Sequence, residues 1–122
     1  MSKKVSKVLI VDDEEGIRES LKLILSDHCD LILTDSGEEA LRLVEADKAI
    51  AAVLLDIKMP KVSGLDVLKA IKAKRPDINV IMVTGYRAVD TASEASNLGA
   101  SGYIVKPFKS DEILNTVKRN LA

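Results

Sequence analysis

The middle of the chain contains the run Ile50-Ala51-Ala52-Val53-Leu54-Leu55-Asp56, in which an unbroken apolar segment is followed by an acid. An apolar run of this length is typical of a strand that is buried on both faces of a parallel sheet. The charged side chain that follows predicts that the strand leaves the core at Asp56. This segment therefore predicts an inner strand over residues 51–55 with an acid at its carboxyl end.

Further apolar runs of strand length lie on either side of this segment. Together with it, the predicted strands cover residues 8–11, 31–33, 51–55, 78–83 and 102–105. Stretches with helical periodicity separate them, and the stretch over 88–98 consists mainly of small side chains. This regular alternation predicts an α/β fold, a doubly wound five-stranded parallel sheet with helices on both faces, in one domain over residues 1–122.

Serine residues mark the predicted starts of three helices. Ser36 is followed by Glu39 at capping-box spacing, and Ser63 and Ser110 are predicted to cap the helices that follow the third and fifth strands. The inner face of the helix after Ser63 is predicted to consist of Leu65, Leu68 and Ile71, which recur at helical spacing.

Composition excludes several classes of function. The chain has 122 residues and a formal net charge of −1. It therefore lacks the excess of positive charge that is typical of a nucleic-acid-binding domain. We interpret the small basic cluster Lys3, Lys4 and Lys7 as a solvated terminus. No apolar run approaches the roughly 20 residues that cross a bilayer, and the single cysteine, Cys29, permits no intramolecular disulfide. We therefore expect a soluble, cytoplasmic protein without a direct nucleic-acid or membrane partner.

Polar residues of a particular kind follow the predicted strands. Asp12 and Asp13 follow the first strand, Asp56 the third, Thr84 ends the fourth, and Lys106 follows the fifth. In a doubly wound sheet, the carboxyl ends of all parallel strands lie at one edge, where such folds bind their ligands. We therefore expect these five residues to converge on one site.

That combination of side chains suits phosphoryl transfer. Three carboxylates close together repel one another unless a cation joins them, and Mg²⁺ prefers oxygen ligands. The Lys106 ammonium and the Thr84 hydroxyl are able to bind phosphoryl oxygens, and Gly85 leaves room for a bulky anion. A carboxylate such as Asp56 is a competent nucleophile that forms an aspartyl phosphate.

At this point the chain resembles the receiver domain of two-component response regulators, in the manner of chemotaxis regulators. The resemblance covers essentially the whole chain, and it rests on the motifs Val11-Asp12-Asp13-Glu14, Asp56-Ile57-Lys58-Met59-Pro60 with Gly64, Thr84-Gly85, and Lys106-Pro107-Phe108. It implies the flavodoxin-like (βα)5 fold with strand order 2-1-3-4-5. It also implies a phosphoprotein switch that catalyses only its own phosphorylation and dephosphorylation.

The resemblance assigns a role to each site residue. Asp56 is implied to be the phosphoacceptor. Asp13 and Asp56 are implied to bind Mg²⁺ directly, for which Mn²⁺ could substitute, with Asp12 acting through water and the backbone carbonyl of Lys58 as a further ligand. Thr84 and Lys106 are implied to hold phosphoryl oxygens.

Three further features follow from the same resemblance. Tyr103 is implied to be a switch residue that turns inward when Thr84 moves toward the phosphoryl group. The Lys106–Pro107 peptide is implied to be cis. Lys58 and Tyr86 are implied to border the site and to influence how long the phosphoryl group survives.

The resemblance also implies partners. The phosphoryl donor is expected to be a phosphohistidine on a sensor histidine kinase or on a histidine phosphotransfer protein. The output is expected to pass through the face formed by residues 88–121 to an output domain or effector. Residues 84–86, 92–95 and 99–100 are similar to receivers of ATPase-type transcription activators. A stand-alone regulator, a phosphorelay intermediate and a piece of a larger regulator all remain open.

Two other functions compete with the switch. A metal-dependent phosphatase of another aspartyl-phosphate family usually needs an acid two residues after the nucleophile, where this chain has Lys58. A binding module that kept the fold without phosphorylation would not need the complete set of acids, threonine and lysine.

Overall fold

The computed structural model describes residues 6–121, and within them strands and helices alternate along the chain. The strands are β1 (Lys7–Val11), β2 (Asp30–Thr34), β3 (Ile50–Leu55), β4 (Asn79–Thr84) and β5 (Gly102–Val105). The helices are α1 (Glu15–Leu25), α2 (Gly37–Ala46), α3 (Gly64–Lys74), α4 (Val89–Asn97) and α5 (Ser110–Leu121).

The strands form a single sheet in the order β2-β1-β3-β4-β5, and each neighbouring pair is parallel. This confirms the doubly wound sheet and the strand order that the resemblance implied. Since all strands run in the same direction, their carboxyl ends share one edge. The chain order reverses between β1 and β3, and at this point the two adjacent loops diverge and leave a crevice.

Side chains on the inner strands alternate between two apolar layers. Leu9 and Val11 point toward the layer under α2, α3 and α4, whereas Val8 and Ile10 point toward the layer under α1 and α5. The predicted inner strand β3 is buried along most of its length, which agrees with its apolar sequence. The two cores hold β1 and β3 rigidly, so the acids at their ends are fixed in space.

The boundaries of the predicted elements differ from the structure by one or two residues. β2 and α4 show this, since β2 is longer than predicted and α4 is shorter. On α3, Leu68 and Ile71 of the predicted inner face are buried, and Leu65 is half-buried but packs against the same apolar layer. Gly64 and Val67, which the prediction did not include, are also buried on this helix.

Two of the three predicted serine caps are confirmed. Ser36 Oγ accepts from Glu39 N at 3.1 Å, and Ser63 Oγ accepts from Leu65 N at 3.1 Å. The Glu39 carboxylate accepts from the Thr34 hydroxyl instead of returning to the backbone of Ser36. The prediction for Ser110 was wrong, because Ser110 is the first residue of α5 and the carbonyl that precedes it accepts from Ile113 N.

Of the basic N-terminal cluster, the structure describes Lys7 alone. Lys7 belongs to β1 and its Nζ lies 2.7 Å from Asp47 Oδ2, so its interpretation as part of a solvated terminus was wrong. Lys3 and Lys4 lie outside the described residues. Across residues 6–121, no helix combines the length and the apolar character that crossing a membrane requires.

Candidate functional site

A cleft of about 640 Å³ opens at the carboxyl edge of the sheet. Loops that follow β1, β3, β4 and β5 form its walls. The residues that line it are Asp13, Glu14, Asp56, Lys58, Met59, Pro60, Thr84, Gly85, Tyr86 and Lys106. The cleft therefore lies at the position that the sequence predicted, and most of the predicted site residues line it.

The three aspartates lie together at the base of this cleft. Asp12, Asp13 and Asp56 each place a carboxylate oxygen so that these atoms lie within 4.8 Å of one another. Asp12 and Asp56 are buried, with 1% and 4% of their surface exposed, whereas Asp13 is exposed. Hydrogen bonds of the sheet hold both buried acids, because Asp56 N donates to Val11 O and Asp12 N donates to Thr34 O, each at 3.1 Å.

Lys106 reaches into this acidic cluster from the end of β5. Its Nζ lies 2.9 Å from Asp12 Oδ2, 2.9 Å from Glu14 Oε1 and 3.1 Å from Asp56 Oδ2. Burial disfavours the charge on Lys106, but its contacts with Glu14, Asp12 and Asp56 outweigh burial and raise the pKa of Lys106 well above its ordinary value. Lys106 therefore carries a permanent positive charge at the centre of the site.

The charge on Asp12 is less well compensated. Burial raises the pKa of Asp12, and the hydrogen bond that its carboxylate accepts from Glu14 N at 2.9 Å opposes that shift only in part. Asp12 Oδ2 is close to Lys106 but is not aligned with it as in a hydrogen bond, so this buried oxygen has no hydrogen-bond partner. A buried carboxylate oxygen that accepts no hydrogen bond is costly in a protein interior, and here the ion pair with Lys106 offsets that cost only in part.

These features fit a hard divalent cation. The three aspartates offer only oxygen ligands, which Mg²⁺ and Mn²⁺ accept. A cation here would offset the repulsion between the carboxylates and would be within reach of the unpartnered oxygen of Asp12. Lys58 lines the same cleft.

Thr84 lies on the opposite wall of the cleft and is fully buried. Its hydroxyl accepts a long hydrogen bond of 3.4 Å from Tyr86 N. A Cβ at the following residue, Gly85, would meet nothing within 4 Å, so the cleft is open beside it. The backbone of Lys106 is tied to Thr84 by a 2.8 Å hydrogen bond from Lys106 N to Thr84 O, and the Lys106–Pro107 peptide is cis, as the resemblance implied.

Tyr103 connects the edge strand β5 with the loop after Thr84. Its side chain is half-buried, and its hydroxyl donates to Tyr86 O at 2.8 Å. Burial and, after it, the negative charge of Asp56 raise the pKa of Tyr103. The structure therefore brings Tyr103 close to the loop that carries Thr84 and within electrostatic range of Asp56.

Glu14 is a member of the site whose individual role the sequence did not reveal. It stood in the quoted motif only as the residue after Asp13, yet its carboxylate lies against Lys106. That contact is the main cause that lowers the pKa of Glu14, and the charge of Lys58 acts in the same direction. The only signal in the sequence was that Glu14 follows two other acids, and this pattern does not show which of them contacts Lys106.

Comparisons with known proteins agree with this geometry. The family model described as response regulator receiver domain matches residues 8–118. The response regulator protein FleR of Pseudomonas aeruginosa is 38% identical over 117 residues, which are 94% of this chain and 24% of FleR. Sporulation initiation phosphotransferase F of Bacillus subtilis is 37% identical over 116 residues, which are 94% of this chain and 93% of that protein.

A solved structure gives the same result for the fold. The CheY-like response regulator receiver domain protein from Methanospirillum hungatei JF-1 superposes with a TM-score of 0.91 at 32% sequence identity, and the match covers 97% of this chain and 94% of that one. The chain spans about a quarter of the length of FleR and of the regulatory protein AtoC of Escherichia coli. The match to the family over most of its length shows that the chain belongs to the response regulator receiver domains of two-component systems, a family of phosphoacceptor switches.

Proposed function

We propose that Asp56 is the phosphoacceptor of this receiver domain and that residues 1–122 act as one unit. The observation that carries the proposal is the arrangement around Asp56, where two further aspartates and the Lys106 ammonium surround a buried carboxylate at the base of an open cleft. Such a carboxylate is able to attack phosphorus while a fixed positive charge neutralises the transferring group.

The proposed donor is a phosphohistidine on a sensor histidine kinase or a histidine phosphotransfer protein. An Asp56 carboxylate oxygen forms the new P–O bond as the P–N bond of the phosphohistidine breaks, and the electron pair of that bond returns to the imidazole. Lys106, which contacts Asp56 Oδ2 before the reaction, then binds a phosphoryl oxygen, as does Thr84. We expect this exchange to take place in the cytoplasm.

Asp13, Asp56 and the carbonyl of Lys58 are the proposed direct ligands of Mg²⁺, with Asp12 acting through water, and Mn²⁺ is expected to substitute. When bound, the cation neutralises negative charge on the transferring phosphoryl group. The unpartnered oxygen of Asp12 supports this assignment.

The proposed output passes through the face over residues 88–121. If the Thr84 hydroxyl turns toward a phosphoryl oxygen, it leaves Tyr86 N, and the carbonyl of the same Tyr86 is the acceptor for Tyr103. A shift at Thr84 therefore acts directly on the contact that holds Tyr103, the proposed switch residue on β5. The partner on this face is proposed to be an output domain or an effector.

The phosphoacceptor assignment is tested by labelling with acetyl phosphate and Mg²⁺, followed by mass spectrometry of the intact protein. We expect the wild type to gain one phosphoryl group and Asp56→Asn to gain none. Asp35→Asn is the matched control, because Asp35 is an exposed acid that follows β2 at the same sheet edge but does not line the cleft.

The competing functions predict different results. Failure of the wild type to be labelled by acetyl phosphate and by other small phosphoryl donors would favour a binding module that does not use Asp56 chemically. Steady turnover of a simple phosphate ester would favour a phosphatase. Labelling that survives in Asp56→Asn would show that another side chain is the acceptor.

A further inference from the structure

Among the described residues, the carboxylate of Glu14 has one polar partner, which is Lys106. Glu14 occupies the N-cap position of α1, but its side chain makes no capping hydrogen bond. Its side chain remains 61% exposed, although one of its oxygens lies 2.9 Å from Lys106 Nζ. Among the contacts described, the one structural role of the Glu14 carboxylate is therefore its ion pair with Lys106.

Three carboxylates already surround the Lys106 ammonium. It donates hydrogen bonds to Glu14 and Asp56, and Asp12 Oδ2 lies 2.9 Å away as an ion-pair partner. A phosphoryl oxygen that binds Lys106 therefore competes with these carboxylates for the ammonium group. The exposed Glu14 is the least costly to release, because water is able to solvate its carboxylate, whereas Asp12 and Asp56 are buried.

We infer that Glu14 is a positioning residue that competes with the incoming phosphoryl group for the Lys106 ammonium and thereby slows phosphorylation. This inference rests on the proposed function of Asp56 and Lys106. Glu14 holds Lys106 in place in the unphosphorylated protein, and its carboxylate competes with a phosphoryl oxygen for the same ammonium group. The Glu14 carboxylate influences the rate at which Asp56 is phosphorylated, and Asp56 remains the phosphoryl acceptor.

The first test is the rate of phosphorylation by acetyl phosphate at saturating Mg²⁺. We expect Glu14→Gln to react about 1.5- to 5-fold faster than the wild type, which is the range for removing an exposed ion pair. Glu15→Gln is the matched control, since Glu15 is the next residue, is exposed, and gives the same change in net charge. If repulsion of the anionic donor by surface charge were the cause, both variants would react faster to a similar extent.

Glu14→Asp separates contact from charge. It keeps the negative charge but is one methylene shorter, so it is expected to lose the contact with Lys106 and to react faster than the wild type, as Glu14→Gln does. A wild-type rate in Glu14→Asp would contradict the proposed competition. The folding of each variant is checked by its thermal melting curve, which we expect to change little because the side chain of Glu14 caps nothing.

A second measurement reports on Lys106 without any phosphoryl transfer. The side-chain ¹⁵N resonance of Lys106 and the exchange rate of its ammonium protons are recorded by NMR in the protein without Mg²⁺ or donor. We expect faster proton exchange in Glu14→Gln and no change in Glu15→Gln, because Glu14 contacts the ammonium group and Glu15 does not.

The outcomes separate this inference from the proposed function. If the wild type is labelled on Asp56 but Glu14→Gln reacts no faster than Glu15→Gln, the role of Glu14 is wrong and the phosphoacceptor assignment stands. An unchanged Lys106 exchange rate in Glu14→Gln also overturns the inference. A wild type that takes up no phosphoryl group overturns both.

Discussion

Gly64 shows how one absent side chain controls the position of Asp56. A Cβ built on Gly64 would lie 1.9 Å from the carbonyl oxygen of Asp56 and 2.7 Å from Ile57 Cα. Gly64 N donates to Ile57 O at 2.7 Å, which draws the start of α3 against the end of β3. The loop between them contains Lys61 with a φ of 73°. Residues other than glycine adopt this left-handed conformation only at a cost in conformational energy. The loop is therefore compact because glycine permits the approach at its closing point.

Gly64→Ala is therefore expected to destabilise the protein by on the order of 3 kcal/mol, since the clash is with backbone that has little freedom to move. We also expect slower phosphorylation, because the displaced backbone carries the acceptor. Urea unfolding measures the first effect, and acetyl phosphate labelling measures the second.

Gly16→Ala provides the comparison for Gly64→Ala. Gly16 lies within α1, and a Cβ there would meet nothing within 4 Å. Alanine is preferred over glycine in a helix, so this variant is expected to be more stable than the wild type by up to about 1 kcal/mol. Equal stability of the two alanine variants would show that the close approach at Gly64 is not constrained.

At the scale of elements, α4 is attached to the sheet more weakly than α3. Only Ala95 of α4 is buried, whereas α3 buries Gly64, Val67, Leu68 and Ile71. The N-cap of α4, Ala88, makes no side-chain hydrogen bond. Little apolar area holds this helix, so its opening is expected to cost less free energy than the opening of α3. A weakly held helix next to Thr84 and Tyr103 is suited to changing its population when the site is phosphorylated.

Amide hydrogen exchange tests this difference between the two helices. In the unphosphorylated protein we expect α4 amides to exchange at least about tenfold faster than those of α3, which corresponds to about 1.4 kcal/mol in opening free energy. Beryllofluoride with Mg²⁺, a phosphoryl mimic, is expected to change exchange in α4 and β5 and to leave the inner part of α3 unchanged. Identical exchange in α4 and β5 with and without the mimic would argue against an output through this face.

At the scale of the whole molecule, the fold gathers carboxylates whose charges are incompletely balanced. The pKa of Asp12 is raised, mainly by burial, so the folded protein binds this proton more tightly than the unfolded chain. The resulting stability is fully present below the unfolded pKa of Asp12 and is lost as the pH rises through its folded pKa. At neutral pH, Asp12 is therefore a destabilising charge that a cation is able to offset.

We expect Mg²⁺ to raise the melting temperature, and we expect this increase to grow as the pH rises through the raised pKa of Asp12 and to level off above it. A concentration tenfold above the dissociation constant would stabilise the folded state by about 1.4 kcal/mol. As the pH falls through the pKa of Asp12, protons compete with the cation and the increase is expected to disappear. Differential scanning calorimetry at several pH values, with Mg²⁺ and with EDTA, measures the effect.

The control for this prediction is Asp27→Asn, because Asp27 is an exposed acid in the turn between α1 and β2, near the amino end of the sheet. It is expected to show the full increase with Mg²⁺, whereas Asp12→Asn is expected to show less. A Mg²⁺ effect that is the same at every pH, or the same in Asp12→Asn as in Asp27→Asn, would place the cation elsewhere.

The amino-acid sequence was sufficient to predict the alternating strands and helices and the sheet edge on which Asp12, Asp13, Asp56, Thr84 and Lys106 meet. Apolar runs and helical periodicity are local properties, and parallel strands place their carboxyl ends at one edge whatever their order. The strand order and the cis peptide at Lys106 were expected from the family resemblance, and the structure confirms both.

Contacts between elements that are distant in sequence were decided by the tertiary structure. Lys106 faces Glu14 as well as Asp12 and Asp56, and the buried Arg75 donates to Val44 O at 2.8 Å and to Ile50 O at 3.1 Å, which ties the end of α3 to α2 and β3. No local pattern predicts these partners. Which acid a lysine reaches, and which carbonyl an arginine satisfies, depends on distances that exist only after the two apolar layers have packed.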